Sequence, residues 1–269
     1  MTTAKGKTGW HYECKGQGEP LVFIHGWAGD GRLWFRQREH FSTEYRVVTI
    51  DLPGHGKTGW KPTNLEGLSR DIDFFLEEID LRQINLVGSS LGGLIALKIF
   101  DLFPHRVKRL ACVGTLPRFS QTENYPFGLP SAWIEKLSRQ LETDYPSIVN
   151  IFFRSLFTRA ERESDCFRRL KEFRNDDEVP HREALHEFLK ILENEDLREV
   201  FGKIKQSGLP VQILNGTHDY ICSTQAVAFL KESIPAAEVK LFADCGHFPF
   251  LTVPEEFNRE LERFLKNNR

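Results

Sequence analysis

Apolar residues in this chain fall into two patterns. Short unbroken runs recur with turn residues between them: Leu21-Val22-Phe23-Ile24, Val47-Val48-Thr49-Ile50, Ile84-Asn85-Leu86-Val87, Leu110-Ala111-Cys112-Val113, Val211-Gln212-Ile213-Leu214 and Val239-Lys240-Leu241-Phe242. A strand with one wet face alternates apolar and polar residues, so continuous runs predict strands covered on both faces, as in a parallel sheet. The second pattern has the helical spacing of an amphipathic segment and occupies 66–79, 91–103 and 256–266. Strand and helix take turns, which predicts an α/β protein with a mostly parallel sheet flanked by helices.

The alternation breaks after Gly114, because the next strand-like run begins only at Val211. Residues 116–195 are rich in helix formers and in aromatics, among them Trp133, Tyr145, Phe152, Phe153, Phe157, Phe167 and Phe173. That segment reads as a helical cap inserted into a core made of 1–115 and 196–269, with most of its aromatics filling its own interior.

Composition narrows the function classes. A chain of 269 residues with 40% hydrophobic and 28% charged residues is ordinary for a soluble globular protein. Its formal net charge of −2, from 36 basic and 38 acidic residues, supplies no global field toward nucleic acid or an anionic membrane. A small-molecule substrate or a locally recognised partner is the expectation. No apolar stretch follows Met1–Lys7 as a secretory signal would require, and none reaches the ~18 residues of a membrane span, so a cytoplasmic protein is expected. The five cysteines are scattered and show no CxxC spacing, so neither a disulfide framework nor a metal site is expected.

The chemistry concentrates in Gly88-Ser89-Ser90-Leu91-Gly92, a G-x-S-x-G motif lying between a predicted strand and a predicted helix. Small residues on either side let the chain fold back sharply and lift the hydroxyl of Ser90 above the sheet. Ser89 does not fit the motif, because Val87 stands where its first glycine would fall. A serine hydroxyl needs a base, and the base an orienting acid, which hydrolases of this architecture supply later in the chain in the order acid, histidine. Asp219 follows the run 211–214 and His247 follows 239–242, each at the carboxyl end of a strand, where open sheets build their sites. His218, Asp244 and a Cys245 nucleophile are the rivals weighed against them. Two backbone donors for an oxyanion are expected from Leu91 and from Trp27, in the loop His25-Gly26-Trp27.

Taken with Asp51-Leu52-Pro53-Gly54-His55-Gly56 and the segments 246–250 and 254–257, these motifs resemble the α/β-hydrolase superfamily over essentially the whole chain. Arg118-Phe119-Ser120, Tyr125-Pro126, Ile191-Leu192 and Asp196-Leu197-Arg198 make the chain similar to the carboxylesterases of biotin synthesis that act on pimeloyl-acyl-carrier-protein methyl ester. The resemblance implies methanol release from a pimeloyl chain tethered to acyl carrier protein, no cofactor, and a monomeric cytoplasmic enzyme. It implies substrate contact by Phe152, Phe153, Arg154, Ser155 and Leu156. It also implies carrier docking on cap arginines, for which Arg139, Arg154, Arg159, Arg162, Arg168 and Arg169 are available. The chain departs from the family in having Ser89 before the nucleophile, where Trp is usual, and Tyr220 after the acid, where Gly is usual. Other readings remain open from the residues alone: a general short-chain carboxylesterase, a carbon–carbon bond hydrolase or lactonase, and a ligand-binding receptor on the same fold.

Overall fold

Six expected strands form, and two more precede them. A computed structural model of the chain describes residues 2–5, 9–173 and 179–267. The strands are β1 (Thr2–Lys5), β2 (His11–Lys15), β3 (Glu19–Ile24), β4 (Tyr45–Ile50), β5 (Ile84–Ser89), β6 (Val107–Val113), β7 (Val211–Gly216) and β8 (Glu238–Phe242). Among the described residues they make one eight-stranded sheet in the order β1-β2-β4-β3-β5-β6-β7-β8. Every pairing from β4 to β8 is parallel, while β1 and β2 add antiparallel to the β4 edge. β2 is half-buried throughout and lacks the apolar run that marks the inner strands, so its pattern gave no strand signal. β5 and β7 are buried at every position, as their unbroken apolar runs require.

The helices are α1 (Phe35–Phe41), α2 (Leu65–Glu78), α3 (Leu91–Leu102), α4 (Ser131–Thr143), α5 (Ser147–Ser155), α6 (Arg159–Glu163), α7 (Asp165–Phe173), α8 (Arg182–Asn194), α9 (Val200–Ser207), α10 (Thr224–Ser233), α11 (Pro249–Thr252) and α12 (Pro254–Lys266). α3 packs on β5 and beside α2 and α9, while α1 packs against α12. α12 opens two residues earlier than the periodicity predicted, because Pro254 provides a first position that needs no donor. No helix among the described residues is long and apolar enough to cross a membrane.

Between β6 and β7 the chain runs through α4–α8 before α9 packs beside α3. The neck of this insertion is closed by the Leu197 N–H, which donates to Pro117 O at 2.8 Å. α4 packs against both α5 and α8, and isolated bridges at Ser120–Leu129 and Thr122–Tyr125 order the approach to α4.

Candidate active site

The sheet changes winding direction at its centre, since β3 leads to β4 on one side and β5 and β6 lie on the other. The loops leaving β3 and β5 therefore diverge, and the crevice between them is where such sheets bind ligands. Ser90 stands in it. It is the residue between β5 and α3, with φ 55° and ψ −118°, a backbone conformation that costs a non-glycine residue of order 1–3 kcal/mol. The surroundings hold it there: its N–H donates to Val113 O at 2.8 Å, and its carbonyl receives Gly93 N–H at 2.9 Å and Leu94 N–H at 3.1 Å. The turn can be this tight because a Cβ on Gly92 would run into Ile24 O.

Asp219 and His247 meet although 28 positions separate them. His247 Nδ1 lies 2.7 Å from Asp219 Oδ2, with both residues buried. The other oxygen, Oδ1, accepts the N–H groups of Ile221 at 2.8 Å and Cys222 at 3.1 Å, so the loop after β7 fixes the carboxylate before it meets the ring. With Nδ1–H directed at the carboxylate, Nε2 is left as the basic nitrogen. Ser90 and His247 line one and the same cavity. The rivals are elsewhere: His218 and Asp244 are exposed, and burial pushes the Cys245 thiol up to about 11, which keeps it protonated near neutrality.

Leu91 is the first residue of α3, so helix geometry provides no acceptor for its N–H. Trp27 follows Gly26, whose Cα is so near Ser90 that an added Cβ would stand 3.1 Å from the serine Cβ. The Trp27 indole Nε1–H donates to Leu185 O of α8 at 2.9 Å, and its ring meets Phe152 edge-on at 4.8 Å. His25 holds this loop in shape: Nδ1–H donates to Gly26 O at 2.8 Å while Nε2 accepts Leu52 N–H at 3.0 Å. Burial lowers its proton affinity, in keeping with a neutral ring that both donates and accepts.

The rest of the cavity wall is apolar. Phe152 and Leu156 line it, while Phe153 packs beside Phe157 and Phe248, Arg154 is exposed with its guanidinium 5.8 Å from the Phe167 ring, and the Ser155 hydroxyl meets that of Tyr220 at 2.8 Å. Further lining comes from Ile134 and Leu137 of α4, Leu189 and Leu192 of α8, Phe119, Leu129, Trp133, Ile221 and Phe248, none of which the sequence placed in the site. The three-residue spacing of each helical pair marked an apolar stripe, yet only the packing of α4 against α8 shows what that stripe faces. Of the arginines, Arg139, Arg159 and Arg168 are exposed and pair with Glu135, Glu163 and Asp165 on their own helices, while Arg162 donates to Phe157 O at 2.9 Å. The side chain of Arg169 lies outside the described residues.

Residues 19–254 match the family model described as alpha/beta hydrolase fold. The chain is 30% identical over 247 residues to the pimeloyl-[acyl-carrier protein] methyl ester esterase of Nitrosomonas europaea, covering 92% of this chain and 96% of that protein. Among solved structures it resembles an esterase from Exiguobacterium antarcticum, with TM-score 0.88, 26% identity and 99% of each chain covered. It is equally similar in fold to a bromoperoxidase from Bacillus anthracis, with TM-score 0.90, 26% identity and coverage of 99% of this chain and 100% of that one. Matched from its first parallel strand to the start of its last helix, the chain belongs to the α/β-hydrolase fold family.

Proposed function

We propose that this carboxylic ester hydrolase removes the methyl group from a pimeloyl methyl ester carried on acyl carrier protein, using Ser90 as nucleophile, His247 as base and Asp219 as the acid that orients it. The buried 2.7 Å contact between His247 Nδ1 and Asp219 Oδ2, beside a cavity that Ser90 shares, is the observation that carries this reading. In it, His247 Nε2 takes the Ser90 hydroxyl proton as the oxygen attacks the ester carbonyl. Asp219 stabilises the imidazolium that forms. The oxyanion accepts hydrogen bonds from the Leu91 and Trp27 N–H groups. Collapse of the tetrahedral species returns the proton to the leaving methoxide, giving methanol and an acyl-Ser90. Water then repeats the sequence, freeing the acid.

The apolar wall supports a substrate whose reacting end is an uncharged ester on a chain of methylenes. The insertion at 116–195 serves as the cap that closes this channel, with Phe152 and Leu156 on its inner side, and the exposed arginines are the proposed landing site for an acidic carrier. The substrate assignment also rests on the similarity to the pimeloyl-[acyl-carrier protein] methyl ester esterase of Nitrosomonas europaea.

The deciding experiment supplies purified protein with pimeloyl-acyl-carrier-protein methyl ester and with p-nitrophenyl acetate, alongside Ser90→Ala. Release of free pimeloyl-carrier by the wild type, and its loss together with p-nitrophenyl acetate hydrolysis in Ser90→Ala, is expected. Hydrolysis of p-nitrophenyl acetate alone would make the protein a general carboxylesterase; activity surviving in Ser90→Ala would remove the nucleophile assignment.

A further inference from the structure

The loop that carries His247 is fastened to the insertion as well as to the core. On the core side, His218 N–H donates to Cys245 O at 2.9 Å and Asp244 N–H to Thr217 Oγ1 at 2.9 Å. On the insertion side, His247 N–H donates to Leu156 O at 2.9 Å. The neighbouring Gly246 N–H points at the carboxylate of Glu161, 3.0 Å from Oε1 and 3.1 Å from Oε2.

Glu161 is the third residue of α6 and closes a reciprocal cap there: its carboxylate accepts Thr158 N–H at 2.7 Å, and its own N–H donates to Thr158 Oγ1 at 3.2 Å. A capping glutamate needs only that, and can sit at the surface. This one is 9% exposed and takes an additional donor from a loop 85 positions away. Gly246 makes the approach possible, since a Cβ there would stand 2.5 Å from Leu156 O and 2.9 Å from Glu161 Oε2.

We propose that Glu161 is a positioning residue for hydrolysis: by holding Gly246 N–H it sets the seat of His247, so that the histidine is correctly placed only when segment 156–161 of the insertion is docked. The proposal rests on the reading of Ser90, Asp219 and His247 as the working set. A carboxylate is a stronger acceptor than a neutral group, and the Gly246 N–H lies in the rigid peptide plane between Cys245 and Gly246, while the next plane is held by His247 N–H on Leu156 O. Tilting the first plane displaces the Gly246 Cα from which the His247 backbone continues, and so moves the imidazole. Without Glu161 the buried Gly246 N–H must turn to find another partner, and proton transfer between Nε2 and a serine hydroxyl is sensitive to such displacements.

The test compares wild type with Glu161→Ala, Glu161→Gln, Glu161→Met and Thr158→Ala on p-nitrophenyl acetate, with melting temperatures recorded for each. Glu161→Ala should lower kcat about ten- to a hundredfold while KM stays within about twofold, the scale expected for an ångström-level misplacement. Glu161→Gln retains an acceptor oxygen and should recover kcat to within about threefold of wild type, since only geometry has to be restored. Thr158→Ala breaks the other half of the helix cap but leaves the acceptor of Gly246 N–H, so it should lower the melting temperature and not kcat. Glu161→Met keeps the bulk without the acceptor and replaces the alanine variant if that does not fold. The low-field proton resonance of His247 Nδ1–H should shift or broaden in Glu161→Ala and remain in Thr158→Ala. An unchanged resonance and kcat in the Ala and Met variants, equal kcat losses in Thr158→Ala, or no recovery with Gln would overturn the proposal. Wild-type protein inert toward the ester would strike the triad reading, and the proton resonance judges Glu161 without turnover.

Discussion

At the scale of single residues, the site is built by groups that are strained or kept uncharged because their neighbours leave no alternative. Ser90 adopts a left-handed backbone because three main-chain hydrogen bonds fix the peptides around it. His55 shows the second case. It is wholly buried, its ring lies 5.3 Å from that of Phe188 at 12° between planes, and its Nδ1–H donates to Pro53 O at 3.1 Å. Burial, reinforced by nearby His25, lowers its pKa from 6.5 to about 3. The folded protein therefore binds this proton far less readily than the unfolded chain, so the contribution of His55 to stability is intact above pH 6.5 and is lost as pH falls from there toward about 3. The loss is at most about 1.4 kcal/mol per pH unit for one such group. Burial shifts His25 in the same direction and steepens the same window. Urea unfolding at pH 7 and pH 5 should show a smaller acid loss for His55→Phe than for wild type; identical losses would mean that His55 is not held neutral.

At the scale of elements, the contact of α3 with β5 and β6 decides where the serine ends up. α3 is buried along nearly its whole first two turns, so close packing rather than an amphipathic stripe governs it. Gly93 is the tightest point: an added Cβ would run into the side chain of Thr115, whose hydroxyl donates to Val113 O at 3.1 Å. Gly93→Ala should cost about 1–3 kcal/mol, the usual penalty of overpacking, and should reduce ester hydrolysis as well, because α3 can retreat only by taking Ser90 with it. Calorimetry beside kcat for a p-nitrophenyl ester checks both halves; a stable, fully active variant would show that the helix has room the packing denies.

At the scale of the whole molecule, the segment between β6 and β7 meets the core through groups at or beside the proposed site. The Trp27 indole reaches Leu185 O, and Leu156 O and Glu161 reach the histidine loop. Trp27→Phe keeps the backbone N–H proposed for the oxyanion while losing the indole donor. It should cost about 1 kcal/mol, the net worth of a typical hydrogen bond, and leave kcat for a small ester within a few-fold. A hundredfold loss in kcat would assign the indole a larger part. Outside, Arg139 and Arg159 stand in exposed helical ion pairs, which contribute about 0.3–0.5 kcal/mol each. Reversing both to Glu should spare p-nitrophenyl acetate and weaken cleavage of the carrier-bound ester. Equal loss on both substrates would point to a damaged insertion instead. Since Ser90, Asp219 and His247 lie in one chain, a monomer is the proposed working unit, checked by light scattering.

The sequence by itself determined the fold class and named Ser90, Asp219 and His247, the three residues proposed for the chemistry. Buried parallel strands must read as unbroken apolar runs, and a strand-to-helix turn with an outward serine requires small residues at fixed offsets, so β3–β8 and the setting of Ser90 are local properties written in order along the chain. It missed β1 and β2, whose edge pairing needs no apolar run, and α1, whose seven residues are too few to show a period. Tertiary structure alone decided the rest. Which faces of α4 and α8 oppose one another, and so which leucines and isoleucines wall the cavity, depends on how the insertion folds back over the strand ends. The same holds for Glu161: in sequence it is half of a helix cap, and only the docking of α6 against Gly246 brings its carboxylate to the histidine loop. Contacts between segments 85 positions apart leave no periodicity in either one, because each segment satisfies its own local pattern whether or not they meet.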